Sequence, residues 1–508
     1  MQVFTQQELT LIFKRIIMKR IFVLSVVFLT VILFSCKDEF LEKPPQNLIT
    51  QDNFPSNESD ALAATNASYQ VLRTGSYHRG FYPIDDIMSD DALKGSSPSD
   101  LQADLQPFDE FQHTVTNNFI ANWWAALYTG VRRANVVIER VPDVNMDEEL
   151  KSRFIGEARF LRALYYSDLA RGYGGVPLVK NSEINIDFTR STLEQTYDFI
   201  ESDLRSAIEV LPEKSEYGPE DLGRATKGAA RALLARVYLY QQEYDSAALF
   251  AEEVINSQQY ELESNFESAF RESTEFGIES VFEIGGIGVE GGVAAGNNDY
   301  TSGQGVRGSP NRGIGANRPS MDLIESFEED DPRMDATVIF VGEVLDGIEI
   351  IGDSQTPDTT DTGQIETYNQ KIWVPGTTPF SNRAHNRRLI RYAEVLLIAA
   401  EALNRNGNTP QALIYLNEVR ERARQGDESL LPDITETNPD LLEDLILRER
   451  RHELAMEGHR FWDVVRTGNA EEIFGPYGFQ SGKHELLPIP QSERDITNGL
   501  LDQNPNWN

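Results

Sequence analysis

The chain has 508 residues, of which 40% are apolar and 25% are charged, so it is a globular protein rather than a disordered one. Its formal net charge is −35, which argues against nucleic acid as a partner because nucleic-acid binding depends on clustered Lys and Arg. The charge argues less strongly against sulfated or uronate polymers, since a local basic patch could override the total.

An export signal is predicted near the N-terminus. Lys19 and Arg20 precede an apolar run at residues 21–34, which is shorter than the ~20 residues that a membrane-spanning helix needs. The run ends in Leu33-Phe-Ser-Cys36, which resembles a bacterial lipoprotein box, in which the cysteine is released by cleavage and acylated. A buried free thiol and an uncut signal anchor are the alternatives. Cys36 is the only cysteine, so it has no disulfide partner in the chain.

We therefore expect a signal peptide at 1–35 and a mature protein at 36–508. Met18 begins a well-formed signal by itself, so residues 1–17 are expected to be an over-extended start. No apolar stretch after Cys36 is long enough to cross a bilayer, which leaves acyl chains as the expected membrane anchor.

Three stretches in the first half have helical periodicity. In residues 122–139 and 153–173, apolar side chains recur at i, i+3, i+4 and i+7, which is one face of a helix. The second stretch ends in a Gly-rich segment at 172–177 that is typical of a helix stop. Residues 226–255 are interrupted near Gln241 and therefore predict a helical hairpin.

Small residues in this hairpin follow a pattern that recurs near the C-terminus. Ala235 and Ala247 stand twelve positions apart, as do Ala400 and Ala412. Small side chains at this offset let two antiparallel helices approach closely, as in tetratricopeptide repeats. The predicted fold class is therefore mostly α, with a tetratricopeptide-like helical hairpin scaffold and large insertions of irregular loops and short strands.

The insertions differ in composition from the helical parts. Residues 276–319 are rich in Gly and Asn, and 338–373 contain β-branched runs at 338–341 and 348–351, so both predict loops with short strands. A further irregular stretch, 75–116, precedes the helix that contains Trp124. Loops this long inside a compact domain are usually functional or disordered, and their aromatic residues favour ordered, functional loops.

A series of short motifs carries a family resemblance that runs from Cys36 to the C-terminus. The chain resembles the SusD/RagB family of Bacteroidetes surface lipoproteins. The motifs, in family order, are Phe40-Leu-Glu-Lys-Pro44, Arg133-Ala-Asn135, Glu157-Ala-Arg-Phe-Leu-Arg162, Gly174-Gly-Val-Pro177, Ala225-Thr-Lys-Gly228, Asp331-Pro-Arg333, Arg391-Tyr-Ala-Glu394, Leu416-Asn-Glu-Val-Arg420, Arg448-Glu-Arg-Arg-His-Glu453, Glu457-Gly-His-Arg460, Leu487-Pro-Ile-Pro490 and Gln503-Asn-Pro505.

The resemblance implies a non-catalytic, lipid-anchored protein on the outer surface of the outer membrane. It implies binding of an oligo- or polysaccharide and delivery to a SusC-like TonB-dependent transporter. The expected parts are an N-terminal helical part at about 55–257, a loop-rich ligand region at about 258–388 and a C-terminal helical part at about 389–508. The alternatives are a peptide-capturing relative on the same scaffold, a scaffold that binds only its protein partner, and a surface glycosidase.

Aromatic and polar residues of the irregular stretches are the candidate ligand-binding residues. An aromatic ring can contact the apolar face of a sugar while polar side chains hydrogen-bond its rim. Trp373 is the first choice as platform because it is a lone tryptophan in an irregular region, and Trp123 is the second. The alternative is that these aromatics pack beneath their own loops. The candidates are Tyr77, His78, Arg79, Phe81, Tyr82, Asp85, Asp86, Tyr300, Tyr368, Trp373, Asn382 and Arg383.

Paired carboxylates and two histidines raise other chemistries. Asp85-Asp86, Asp90-Asp91 and residues 328–331 could act in glycoside hydrolysis or bind calcium, but turn and surface roles are favoured. His452 and His459 are two helical turns apart, too far for a zincin site, so an ion-pair network around them is favoured. We expect no catalytic residues, metal or cofactor, with calcium near the first loop as the alternative.

Overall fold

The computed structural model describes residues 6–33, 54–96, 104–182, 189–286, 298–353, 365–376 and 385–507. The chain divides into a unit at 1–56 and a unit at 57–508. In the first unit the described residues form helix α1, Gln6–Leu33, which includes most of the predicted signal. Among all described residues, no helix has the length and apolar character needed to cross a membrane.

The N-terminal half of the second unit is built of helices that match the predicted periodicity. The stretches predicted at 122–139 and 153–173 lie within the two longest of them, which confirms both. A side-chain cap starts the second, where Asp147 accepts a hydrogen bond from the backbone N–H of Leu150 at 2.9 Å. These helices are α2 Glu58–Gln70, α3 Gly75–Gly80, α4 Gln106–Asp109, α5 Asn118–Arg140, α6 Glu148–Tyr173, α7 Leu193–Val210, α8 Lys227–Tyr240 and α9 Tyr244–Asn256.

Both predicted hairpins are present. Helices α8 and α9 form the first, and the second lies in the C-terminal part. Ala235, Ala247, Ala400 and Ala412 are fully buried, as close helix contact requires. Helix α9 packs against the first helix of the second hairpin, so two hairpins that are far apart in sequence adjoin in space. The C-terminal helices are α13 Tyr392–Arg405, α14 Thr409–Ala423, α15 Pro439–Leu454, α16 Arg460–Arg466, α17 Ala470–Phe474 and α18 Gln491–Ile496.

The described residues form four antiparallel pairs of short strands, and all strands except β1 lie between the two hairpins in sequence. The pairs are β1 Ala92–Gly95 with β3 Ala316–Pro319, β2 Ser280–Ile284 with β8 Arg387–Arg391, β4 Val338–Phe340 with β7 Thr367–Asn369, and β5 Val344–Leu345 with β6 Ile348–Glu349. Three short helices accompany them: α10 Asn298–Gln304, α11 Met321–Ser326 and α12 Pro332–Thr337. The strands predicted at 338–341 and 348–351 are thus confirmed, whereas β1 and β8 were not predicted.

The stretch at 75–116 differs from its prediction as an irregular loop. Helix α3 continues directly into a π-helix at Phe81–Asp86, and α4 lies further along. Glycines and a proline in this stretch disfavour helix in isolation. Burial of its apolar side chains, including Tyr77 and Ile84, stabilises the helix nevertheless, since tertiary packing outweighs propensity.

Candidate functional site

Four of the predicted aromatic residues, from two of the irregular stretches, come together in the interior. Tyr300 of α10 lies beside both His78 and Phe81, with ring centroids 5.9 Å apart in each pair. The guanidinium carbon of Arg387 lies 3.4 Å from the centroid of Phe81 and 5.7 Å from that of Tyr77. All five side chains are buried, so they form an interior layer instead of an open platform. Their contact with a ligand stays a prediction.

Tyr82 is buried in the same layer. Its ring lies against Gly303 of α10, where an added Cβ would approach the Tyr82 hydroxyl to 3.0 Å. A larger residue at position 303 would require the tyrosine ring to shift by a few tenths of an ångström. Tyr82 therefore positions α10 on the π-helix.

Asp85 and Asp86, at the end of the π-helix, bind the C-terminal part of the chain. Asp85 accepts a hydrogen bond from Trp462 Nε1 at 2.8 Å. Asp86 accepts one from the backbone N–H of Gly458 at 2.8 Å and one from Asn317 Nδ2 at 2.9 Å. Burial raises the pKa of Asp85 to about 6 and that of Asp86 to about 7. Both carboxyls hold structural elements together and neither faces solvent.

The raised pKa of Asp86 predicts a pH-dependent stability. The folded chain keeps this proton up to about pH 7, while the unfolded chain loses it near its ordinary value, so stability falls as pH rises between the two. We expect the free energy of unfolding of Asp86→Asn, relative to that of the wild type, to rise by about 2–4 kcal/mol between pH 4 and pH 8. Urea unfolding at several pH values measures the difference. The control is Asp198→Asn, at an exposed position, whose difference in unfolding free energy from the wild type should not change with pH. A difference for Asp86→Asn that is equally constant would contradict the prediction.

Trp373, the first choice as platform, is buried, with 3% of its surface exposed. Its Nε1 donates a hydrogen bond to Asp346 Oδ2 at 2.7 Å. The Arg312 guanidinium carbon lies 5.4 Å from its ring centroid. Tyr368 is buried in the same small apolar cluster, whose other members are Val306, Ile339 and Ile350. In this structure neither ring presents an open face, and the platform role stays a prediction. Trp123, the second choice, is also buried and its ring covers Gly80.

Some predicted residues lie outside the described part of the chain. Cys36, Asn382 and Arg383 belong to this group. The backbone of Arg79 is described as part of α3, but its side chain is not.

A polar group beside the Trp373 cluster was not predicted from the sequence. Arg307 Nε lies 2.7 Å from Asp353 Oδ2, and its Nη1 lies 3.4 Å from Ser96 Oγ. Arg312 donates to the backbone carbonyl of Gly376. The two arginines thus join three parts of the irregular region. Single arginines in a Gly-rich stretch carry no periodic signal, which is why the sequence did not reveal them.

Several charged motifs of the sequence converge in a buried ion-pair network. An ion-pair network was the favoured alternative to a zinc site. Arg391 donates to Glu453 at 3.0 Å and to Glu457 at 2.7 and 2.8 Å. Arg333 donates to Asp331 at 2.8 Å. Not all of the remaining residues of this network were identified from the sequence, because an isolated charged residue is expected to be exposed. They are Glu279, Lys371, Arg420, Arg422 and Glu449.

The paired carboxylates of the first loop also contact arginines. Asp90 accepts from Arg460 at 2.8 and 2.9 Å, and Asp91 accepts from Arg451 at 2.7 Å. His452 Nε2 lies 2.7 Å from the carbonyl oxygen of Ser326. Within the described ranges, no three His, Cys, Asp or Glu side chains are grouped closely enough to hold a metal ion.

Two family models match the chain. The model described as "SusD family" matches residues 253–507, and the one described as "Starch-binding associating with outer membrane" matches 40–239. Among curated proteins, the SusD-like protein P2 of Formosa agariphila is 28% identical over 510 residues, covering 95% of this chain and 99% of that protein.

Solved structures agree with this assignment. A structure named "Laminarin binding SusD-like protein" has a TM-score of 0.73 and 30% identity, covering 89% of this chain and all of that one. Surface glycan-binding protein A from Bacteroides thetaiotaomicron, solved with laminarihexaose, has a TM-score of 0.75 and 27% identity, covering 88% of this chain and all of its own. The helical hairpins, the intervening short strands and these matches over nearly the whole length lead to one conclusion: the chain belongs to the SusD family.

Proposed function

We propose that this protein binds an oligo- or polysaccharide at the outer surface of the outer membrane and passes it to a SusC-like TonB-dependent transporter. The observation that carries the proposal is the full-length similarity to relatives whose names state glycan binding, among them the laminarin-binding structure at 30% identity. Catalysis is not part of the proposal, because the paired carboxylates considered for it are engaged elsewhere: Asp90 and Asp91 accept from arginines, and Asp86 accepts from the backbone N–H of Gly458.

The irregular region supplies the proposed binding surface. Arg307, Arg312 and Asp353 are the polar groups proposed to hydrogen-bond the hydroxyl rim of a sugar. The Arg312 guanidinium carbon lies 5.4 Å from the Trp373 ring centroid, and Arg307 pairs with Asp353. Asn382 and Arg383 stay predicted ligand-binding residues and lie outside the described part of the chain. The aromatic layer of Tyr77, His78, Phe81, Tyr82 and Tyr300 is buried.

Binding measurements on the purified mature chain test the proposal. Affinity electrophoresis and calorimetry should be run across neutral and acidic glycans, beginning with laminarin because two similar structures are named for laminarin ligands. We expect saturable binding of at least one glycan and no release of shorter products. Binding to peptides without binding to any glycan would favour the peptide-capturing alternative, and product release would establish a glycosidase.

Cys36→Ser tests the proposed lipid anchor. Each buried methylene of an acyl chain contributes ~0.8 kcal/mol, and two chains hold a protein stably on a membrane. The variant should therefore be lost from the membrane fraction while the soluble protein binds glycan with wild-type affinity. Fractionation of cells followed by calorimetry measures both properties. Retention of the variant on the membrane, or a loss of glycan affinity in solution, would contradict this division of roles.

A further inference from the structure

One buried arginine lacks the partners that the other buried arginines have. Arg387 is the first residue of β8, and its guanidinium has neither a hydrogen bond nor an ion pair with any residue that the structure describes. Every other buried arginine in the described ranges donates at least one hydrogen bond, as Arg391 does to Glu453. A buried charge without a partner is unfavourable, so an acceptor from outside the chain would be stabilised at this position.

An aromatic ring holds the Arg387 guanidinium in place. Its central carbon lies 3.4 Å from the centroid of Phe81. A cation is attracted to the face of an aromatic ring, and this contact leaves the N–H groups at the edge of the guanidinium unused. Asp85 is within electrostatic range of Arg387, but its two oxygens accept from Trp462 at 2.8 Å and from Arg171 at 3.1 Å. The arginine is therefore positioned by the ring and is not neutralised by a direct contact.

Two further polar side chains of the same layer lack partners. The ring of Tyr300 contacts Phe81, and its hydroxyl has no hydrogen bond within the described part of the chain. His78 lies beside Tyr300, and neither of its ring nitrogens has a partner there. The ring nitrogens of His78 are enclosed, whereas the guanidinium nitrogens of Arg387 and the hydroxyl of Tyr300 retain slight contact with solvent. An acceptor can therefore reach Arg387 and Tyr300 from outside.

The donors and the narrow access to them favour a planar carboxylate as the acceptor. Arg387 is 4% exposed and Tyr300 is 6% exposed, so the group that reaches them must be small. The parallel N–H groups of a guanidinium match the two oxygens of a carboxylate, and the hydrogen bonds are strengthened by both charges. A neutral sugar hydroxyl cannot supply the missing counter-charge. Among glycans, uronic acid residues carry such a carboxylate on the sugar ring.

We propose that the glycan bound by this protein is acidic, and that Arg387 and Tyr300 donate hydrogen bonds to the carboxylate of a uronic acid residue. The inference rests on the proposed function and narrows its substrate class. The chain has a net charge of −35, so binding of an acid needs a local cation that the protein itself does not neutralise. Arg387 meets this requirement, because the ligand supplies its counter-charge.

Calorimetry of the mature chain with oligomers of glucuronate, galacturonate and mannuronate, each beside its methyl ester, tests the proposal. The ester differs from the acid in lacking the charge. We expect saturable binding of at least one acid and binding of its ester that is about tenfold weaker or more. Arg387→Met should weaken binding of the acid about tenfold or more, and Tyr300→Phe about threefold. The control Arg132→Met, at an exposed position of α5, should leave the affinity unchanged.

Thermal unfolding without ligand gives an independent measurement. Arg387→Met removes a charge that has no direct partner, so its melting temperature should not fall, whereas Arg391→Met removes a paired arginine and should melt lower. A fall as large as that of Arg391→Met would assign Arg387 a structural role and overturn the proposal. Esters or sulfated oligomers that bind as tightly as the acids would also overturn it. Binding of laminarin without binding of any uronate would overturn this inference alone, and binding of no glycan would contradict the proposed function as well.

Discussion

Replacing Arg391 with methionine should lower the free energy of unfolding by ~3–5 kcal/mol, because it removes a buried cation that three buried carboxylates share. Arg391 is fully buried and donates to Glu453 and to Glu457. Its Nη1 also reaches Glu279 at 2.5 Å. Methionine keeps much of the side-chain volume, so the loss reports the charge and not a cavity. Urea unfolding of the mature chain at pH 7 measures the effect.

Arg424→Met is the matched control. Arg424 is itself buried and pairs with two carboxylates, Glu428 and Asp433, but these side chains are 79% and 59% exposed. Water can solvate them once the arginine is gone, so the expected loss is at most ~1 kcal/mol. Equal losses for the two variants would show that burial of the network around Arg391 does not determine its contribution.

Trp373→Ala should lower the free energy of unfolding by ~3–5 kcal/mol, the range for truncating a buried aromatic residue. The indole is 3% exposed, packs with Tyr368 and Ile339, and donates to Asp346. Trp373→Phe retains most of the packing and loses the hydrogen bond, so its cost should be nearer ~1 kcal/mol. Denaturant titration of both variants measures the difference.

The same pair of variants tests the platform hypothesis. If Trp373 contacts the sugar, Trp373→Ala should weaken glycan binding about tenfold or more at a temperature where it is folded, since stacking on an aromatic ring is worth ~1–3 kcal/mol by analogy with bases. Val344→Ala, at an exposed position of the same region, should change neither stability nor affinity. Unchanged affinity in folded Trp373→Ala would make this residue a packing residue alone.

Helices were the part of the fold most accessible from the sequence. The periodicity of α5 and α6 was sufficient to predict both helices, because one face of each helix is apolar and lies against the core. The hairpins were predicted from the spacing of Ala235, Ala247, Ala400 and Ala412, a local pattern with one simple packing solution. The contact between the two hairpins through α9 and α13 could not be predicted from the sequence, since no local pattern encodes a contact between distant segments.

The irregular stretches were predicted less well, and the reason is physical. Tyr77 and Phe81 follow residues that disfavour helix, yet they lie on α3 and the π-helix because their burial outweighs that preference. Their position in a predicted loop suggested that these two rings are exposed. The rings are covered instead by Tyr300 and Arg387, which come from far along the chain. Arg307 and its pairing with Asp353 likewise needed the tertiary structure.

The sequence by itself determined the class of protein: an acidic, mostly helical chain with tetratricopeptide-like hairpins and the ordered motifs of the SusD family. These properties depend on composition, on short periodic patterns and on local motifs, which need no knowledge of distant neighbours. The tertiary structure alone decided which charges are buried together, which aromatic rings are covered, and that Arg387 lies on the ring of Phe81. Burial and pairing are set by contacts between segments far apart in the chain, and those contacts exist only once the chain has folded.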